Sequence, residues 1–273
     1  MTTAATVTPA KTPGFDPKVP VLIDTEGGTR SVAGFERRGE LRIKTAETFK
    51  DVERLVWEIE AAKVKPAGII LDSITGLISK TSFDVGHDGI PKNGIWENRF
   101  NLATSQPHWG VMSTTIVLLN RVARSLGIPF FMTAQEKERL DEASGKEMHF
   151  PAANPKVLED IVPFSDGILR VSVNTTMFEA GGVRFEPGSR AIRCQPNDEI
   201  YAKCRVPDDA PPAPAIIGNE KATANWGPAI ERLAKATLEP LATIVIYGRA
   251  GTGKTRLATE LMLHYAKQNT KKG

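Results

Sequence analysis

The feature that most constrains this chain lies far along it: Gly248-Arg249-Ala250-Gly251-Thr252-Gly253-Lys254-Thr255, followed by Arg256. It matches the phosphate-binding pattern G-x-x-x-x-G-K-[ST] without deviation. The apolar run Thr243–Tyr247 before it reads as a strand. The residues after it, with Leu257, Leu261 and Met262 at helical spacing, read as a helix from about 253 to 267. Glycines let such a loop curl so that successive N–H groups face phosphate oxygens, and the helix N-terminus adds a favourable dipole. In this pattern Lys254 carries positive charge to the β- and γ-phosphates of a nucleotide, and Thr255 offers a hydroxyl to Mg²⁺. Gly248 through Arg256 then form the cradle, and ATP and Mg²⁺ are the ligands it asks for.

A phosphate-binding strand in a parallel sheet needs neighbours on both sides. From Lys254 to the end of the sequence only 19 residues remain, enough for one helix and no further strand. The neighbours must therefore come from earlier. Three segments qualify: Val19–Ile23 running into Asp24-Thr25-Glu26-Gly27-Gly28, Ala67–Asp72, and Ile128–Ala134 followed by Gln135. Each is apolar throughout, the mark of a strand buried on both faces. Between them, residues 46–62 place Phe49, Val52, Leu55, Val56 and Ile59 on one helical face, with Thr45 as the expected N-cap. Residues 111–126 read as another helix through Val117, Leu118, Val122 and Leu126. Strands alternating with helices predict an α/β fold with a mainly parallel central sheet and helices on both faces.

Further on, Gly167–Val173 and the regions 183–186 and 190–194 read as shorter strands, and a helix is expected near 227–238. Residues 207–219 (PDDAPPAPAIIGN) form the clearest linker, and residues 1–18 an aperiodic leader. A final helix of about 14 residues rises roughly 20 Å, the length of a strand, and so returns to the sheet edge where Val19–Ile23 begins. The simplest arrangement is a circular permutation: residues 19–273 form one domain, and the 207–219 segment joins the older chain ends. The competing arrangement has the terminal strand, loop and helix docking into a neighbouring subunit.

Composition trims the alternatives. Of 273 residues, 41% are hydrophobic and 25% charged, with 23 glycines and 19 prolines, the balance of a folded globular chain. The net charge of +3 announces no strongly basic nucleic-acid binder. No apolar run approaches the roughly 20 residues of a membrane helix, and no signal core opens the sequence. Cys194 and Cys204, without Cys-x-x-Cys spacing, read as reduced thiols in a cytoplasmic protein. The four histidines show no metal-ligand spacing.

Read in rotated order, the segments run IVIYGRAGTGKT, VLIDTEGG, GIILDSITGL and PFFMTAQEK. This combination resembles the RecA/RadA recombinase core, and within it the compact phage RecA-like annealing ATPases, with the motifs permuted. The resemblance spans about 19–186 and 240–267. It implies a RecA-like P-loop NTPase fold and three roles. Glu26 resembles the carboxylate that activates the attacking water. Asp72 resembles the Walker B aspartate that holds Mg²⁺ through water, with Ser73 beside it. Gln135 resembles the polar sensor coupling the γ-phosphate to the loop after it. An acidic residue at the carboxyl end of a parallel strand sits beside the ligand crevice in any case. Asp24 is read as a structural neighbour.

The resemblance also implies a homo-oligomeric ring or filament on single-stranded DNA, with nucleotide near the subunit interface, in the cytoplasm of a bacterial host. Its two DNA-contacting loops would correspond to about 79–110 and 136–160. The first is neutral and holds Phe83, Trp96, Phe100 and Trp109, which can stack on bases. The second sets Lys137, Arg139, Lys146 and Lys156 against seven acidic residues, a poor electrostatic footprint for nucleic acid. Lys137 and Arg139 are the candidates for reaching a neighbour's γ-phosphate.

Overall fold

The computed structural model describes residues 14–80, 117, 120–122, 124–140, 145–153, 155–180, 183–205, 216–218, 226–237 and 243–269. Twelve strands appear among them in chain order: β1 (Val21–Asp24), β2 (Arg42–Thr45), β3 (Ile69–Asp72), β4 (Phe130–Leu140), β5 (Glu147–Pro151), β6 (Gly167–Val173), β7 (Phe178–Ala180), β8 (Val183–Phe185), β9 (Arg190–Arg193), β10 (Lys203–Cys204), β11 (Ile216–Gly218) and β12 (Thr243–Gly248). The main sheet has the order β11-β9-β6-β12-β4-β3-β1-β2, with β5 added to β4 and β10 to β6. Six neighbouring strands, β6, β12, β4, β3, β1 and β2, run parallel. The β5, β9, β10 and β11 pairings are antiparallel. A small β7–β8 hairpin stands apart.

The strand-long apolar runs have a direct packing consequence. Alternate side chains of one strand point to opposite faces, so each buried strand feeds two cores. Val21, Ile23, Ile69, Leu71, Phe130, Met132, Val245 and Tyr247 join one, with Val52, Leu55, Val56 and Ile59 of the helix Phe49–Ala61. Leu22, Ile70, Phe131, Leu169, Ile244 and Ile246 join the other, with Leu257, Leu261 and Met262 of the helix Lys254–Asn269 and Ile230 and Leu233 of the helix Gly227–Thr237. Helices thus cover both faces, and truncating a buried isoleucine or leucine here costs about 2–5 kcal/mol.

Local expectations needed adjustment. The helix expected over 46–62 begins at Phe49, and its cap is Thr48, not Thr45. Thr48 and Asp51 form a reciprocal capping box: the Asp51 backbone N–H donates to the Thr48 hydroxyl at 3.2 Å, and the Thr48 N–H to the Asp51 carboxylate at 2.9 Å. Two such bonds outweigh the single one a lone Thr45 offers. Residues 216–218 of the Pro-rich segment are not linker but strand β11, paired with β9. The strand expected to end at Ala134 continues to Leu140, and the 136–160 region forms the β4–β5 hairpin and the short helix Pro155–Ile161 rather than an open loop. Of the leader, Phe15 is buried and its N–H donates to the Val64 carbonyl at 3.3 Å. Of the helix at 111–126, residues 117, 120–122 and 124–125 are helical, while Leu118 is among those outside the described set. Phe83, Trp96, Phe100 and Trp109 also lie outside the described residues.

Candidate functional site

Parallel strands end together, so their carboxyl ends form one rim. Register puts Asp24 beside Asp72 on β1 and β3, and Gly248 beside Gln135 on β12 and β4. Residues separated by as many as 183 positions in sequence are thereby within hydrogen-bonding distance.

The loop from Gly248 to Thr255 turns through two left-handed positions, Gly251 (φ 77°) and Gly253 (φ 92°), which favour glycine. The Thr252 hydroxyl donates to the Arg249 carbonyl at 2.9 Å, and the Leu257 N–H to the Gly253 carbonyl at 2.9 Å, starting the helix. Lys254 is buried, and its ammonium donates to the Arg249 carbonyl at 3.0 Å and to Gln135 Oε1 at 3.4 Å. Burial pulls its pKa below the usual lysine value, while the carboxylates of Asp72 and Glu26 oppose that shift.

Asp72 ends β3 and is buried. Its Oδ2 accepts from the Thr255 hydroxyl at 2.9 Å, and its Oδ1 from the hydroxyl of Thr133 on β4. Burial raises its pKa above the ordinary carboxylate range; the two hydroxyls pull it down, and the charges of Glu26 and Asp24 push it further up. Glu26 stands one step into the loop after β1. One of its oxygens accepts from the Ser73 hydroxyl, the other from Gln135 Nε2 at 3.1 Å. The Gln135 amide therefore bridges Glu26 and Lys254, donating to the first and accepting from the second. Asp24 shapes the turn itself, since its Oδ1 accepts from the N–H groups of Glu26 at 3.0 Å and Gly27 at 2.7 Å. The helix after Asp72 approaches this turn closely: a Cβ on Gly76 would stand 2.6 Å from Glu26 Cγ.

All three strand-end residues read from the sequence, together with Lys254 and Thr255, line one cavity of ≈ 440 Å³. Its other walls bring in residues that sequence reasoning missed: Arg30 from the turn after Glu26, Arg190 from β9, and Trp226 just before the helix Gly227–Thr237. No motif marks these, because strand order alone brings them to the loop.

Arg249 faces elsewhere. Its guanidinium pairs with Glu138 and lies 3.7 Å from Glu136, both on β4 beyond Gln135. Glu136, whose side chain is 1% exposed, also takes two 3.0 Å bonds from Arg170 of β6, and His149 Nδ1 of β5 lies 3.0 Å from it. Glu136, Glu138 and His149 have ligand atoms within 4.8 Å of one another, but the two arginines hold the same carboxylates, and the group is an ion-pair network. Lys137 and Arg139 alternate with these glutamates along β4 and are exposed on its other face, away from the cavity. Cys194 and Cys204 are not joined by a disulfide. Among the described residues no helix is long and apolar enough to cross a membrane.

A family model described as an AAA domain matches residues 2–206. The matched span carries Glu26, Asp72 and Gln135 and stops before Gly248. No curated protein matches the chain.

Proposed function

We infer the function from one premise: the chain belongs to the AAA domain family, whose members are nucleotide-binding ATPases of the P-loop kind. The reading the site supports best is Mg²⁺-dependent hydrolysis of ATP by a RecA-like core. The observation that carries it is the 2.9 Å bond between Thr255 and Asp72, which joins the loop hydroxyl and the strand-end carboxylate that such a reaction requires.

The donor set fits the metal: a hydroxyl and a carboxylate are the hard oxygen ligands Mg²⁺ takes, and among the described residues neither Arg nor Lys is hydrogen-bonded to the Asp72 oxygens. Bound there, Mg²⁺ would neutralise charge on the β- and γ-phosphate oxygens. The chain's own groups supply the rest. Lys254 exchanges the Arg249 and Gln135 oxygens for phosphate oxygens, regaining in charge pairing what its burial costs. As it leaves Gln135, the amide is released to meet the γ-phosphate. Glu26 then holds a water by one carboxylate oxygen and accepts its proton as the water attacks the γ-phosphorus, with ADP leaving. Ser73 keeps the other oxygen oriented. Positioning and charge account for most of such catalysis.

The second part of the proposal concerns the chain path. The loop strand β12 lies between β4 and β6 of the sheet that the family-matched residues build, and the helix after it packs across β12, β4 and β3, toward β1. This path supports our reading of a circularly permuted core, one domain over residues 19–273 with the 207–219 region as the join. The third part is an oligomer, ring or filament, acting on single-stranded DNA in phage-type recombination or strand annealing. This part rests on the resemblance to RecA/RadA cores. Lys137 and Arg139, exposed on the β4–β5 hairpin, are the side chains it assigns to a neighbour's nucleotide.

One experiment separates these layers: ATP binding, ATP turnover and particle size, with and without single-stranded DNA. Lys254→Ala abolishes binding. Glu26→Gln keeps binding and lowers turnover by about 100-fold or more, the usual worth of a positioned base. Normal turnover in Glu26→Gln removes Glu26 from the role. Stimulation by single-stranded but not double-stranded DNA, with annealing, supports the recombination reading. Unstimulated turnover points to another P-loop process such as helicase loading or packaging. ATP-dependent assembly with near-zero turnover marks a nucleotide-gated scaffold.

A further inference from the structure

The cavity has two chemically unlike ends. Strand order β9-β6-β12-β4-β3-β1 puts Asp72 and Glu26 on one side of the loop strand and Arg190 on the other. A triphosphate whose γ end lies at Glu26, Asp72 and Gln135 directs its α-phosphate and sugar toward Arg190, Arg256 and Trp226, which line the far wall. This orientation rests on the ATPase reading above.

Trp226 is unusual within that wall. It is fully buried, and its indole Nε1 has no hydrogen-bond partner among the described residues. An indole N–H donates only, and buried ones ordinarily find an acceptor. Its position is held firmly: the Trp226 backbone N–H donates to Glu260 Oε2 at 3.2 Å, and Glu260 Oε1 in turn accepts from Arg256 Nε at 2.6 Å. The ring also packs in the core with Leu257 and Leu261. Rotation toward an acceptor elsewhere is therefore blocked. The nitrogen is aimed at the phosphate loop: a Cβ placed on Gly253 would stand 3.5 Å from it, and equally 3.5 Å from Arg190 Nε. The fold thus keeps a fixed, unsatisfied donor beside a cation at the end of the cavity opposite the carboxylates.

We propose that Trp226 is a specificity-determining residue for the nucleoside end of the substrate. Its Nε1–H donates to an oxygen there, on the α-phosphate or the ribose, with Arg190 supplying charge beside it. The acceptor missing from the protein arrives with the ligand. An unmet buried donor is a standing cost that binding removes, so the contact discriminates nucleotides from ligands that fill only the β- and γ-phosphate positions.

The test compares wild type, Trp226→Phe and Arg190→Gln by calorimetric titration with Mg²⁺-ATP, Mg²⁺-2′,3′-dideoxy-ATP and Mg²⁺-pyrophosphate, which has no counterpart of the α-phosphate. Phenylalanine keeps the buried ring and removes the N–H. Expected is a loss of about fivefold or more in ATP affinity in both variants, with pyrophosphate changed less than about twofold and thermal stability without ligand preserved. If the Trp226→Phe loss vanishes with the dideoxy nucleotide, the acceptor is a ribose hydroxyl; if it persists, it is the α-phosphate. Unchanged ATP affinity in Trp226→Phe overturns the proposal, as does an equal loss for pyrophosphate, which places the contact on the loop or the inner phosphates. If Trp226→Phe unfolds, Arg190→Gln alone decides by the same ATP-to-pyrophosphate ratio. Retention of ATP binding by Lys254→Ala, by contrast, would fail the site reading and leave the Trp226 comparison to be interpreted apart from it.

Discussion

The two sides of β12 differ in strand direction and carry opposite chemistry. On the β4–β3–β1 side, parallel strands end in carboxylates and amides that hold one another: Asp72 with Thr133 and Thr255, Glu26 with Ser73 and Gln135. On the β6–β9 side the neighbours are Arg170, Arg190 and Arg193, and antiparallel strands complete the sheet. The difference follows from direction. Parallel strands deliver all their carboxyl ends to one rim, where charged groups can converge; an antiparallel neighbour delivers an amino end there instead. On the proposed ATPase reading, a site that takes both Mg²⁺ and a polyphosphate gains by having one rim of each sort.

Glu136 joins the two sides, and removing it has a large expected effect on stability. Its nearly inaccessible carboxylate binds Arg170 across β12, so Glu136→Ala leaves a largely buried guanidinium unpaired and costs about 3 kcal/mol, read by denaturant unfolding. A loss under about 1 kcal/mol would mean that the two sides are held by β12 alone.

Asp72 sharpens the comparison further. Burial raises its pKa, so in the ligand-free protein its charged form is disfavoured relative to the unfolded chain. The stability associated with this group is complete below the ordinary carboxylate pKa and is lost as pH rises through the raised value. Asp72→Asn is therefore expected to match wild type in acid and to exceed it in melting temperature at neutral pH, while Mg²⁺-dependent hydrolysis is lost. A variant less stable than wild type at neutral pH would make Asp72 a structural residue. The smallest effect belongs to a position remote from both sides: Thr48→Ala removes the capping box at a cost of about 1 kcal/mol and leaves ATP turnover unchanged.

Local signals made much of this legible beforehand. The phosphate loop, the apolar strands and the acidic strand ends each occupy a few consecutive residues, and strand direction does the rest. Glu26 and Gln135 came from resemblance to RecA/RadA cores. Their hydrogen bond depends on the register of strands whose pairing no short segment encodes. Glu136 looked like one more charge in an acidic loop, because a buried ion pair reads like a solvated one until its partner on β6 is known. Thr48 is legible in the sequence: Thr48-Phe49-Lys50-Asp51 carries the capping-box spacing, whereas Thr45 has no acid or amide three residues on. Trp226 had no signal at all. It follows residues whose composition marks a linker, and only β11 and the helix after it bring the ring to the loop.

The position of β12 has a consequence during synthesis. Among the described strands it is the last to leave the ribosome, yet it fills the slot between β4 and β6. At about 5–20 residues per second, the two flanking edges, Phe130–Leu140 and Gly167–Val173, wait several seconds with open backbone groups before their partner arrives. A nascent or truncated chain of this kind is an incomplete wall with two sticky edges. It lacks the phosphate loop altogether until Thr243–Gly248 and the helix Lys254–Asn269 are made.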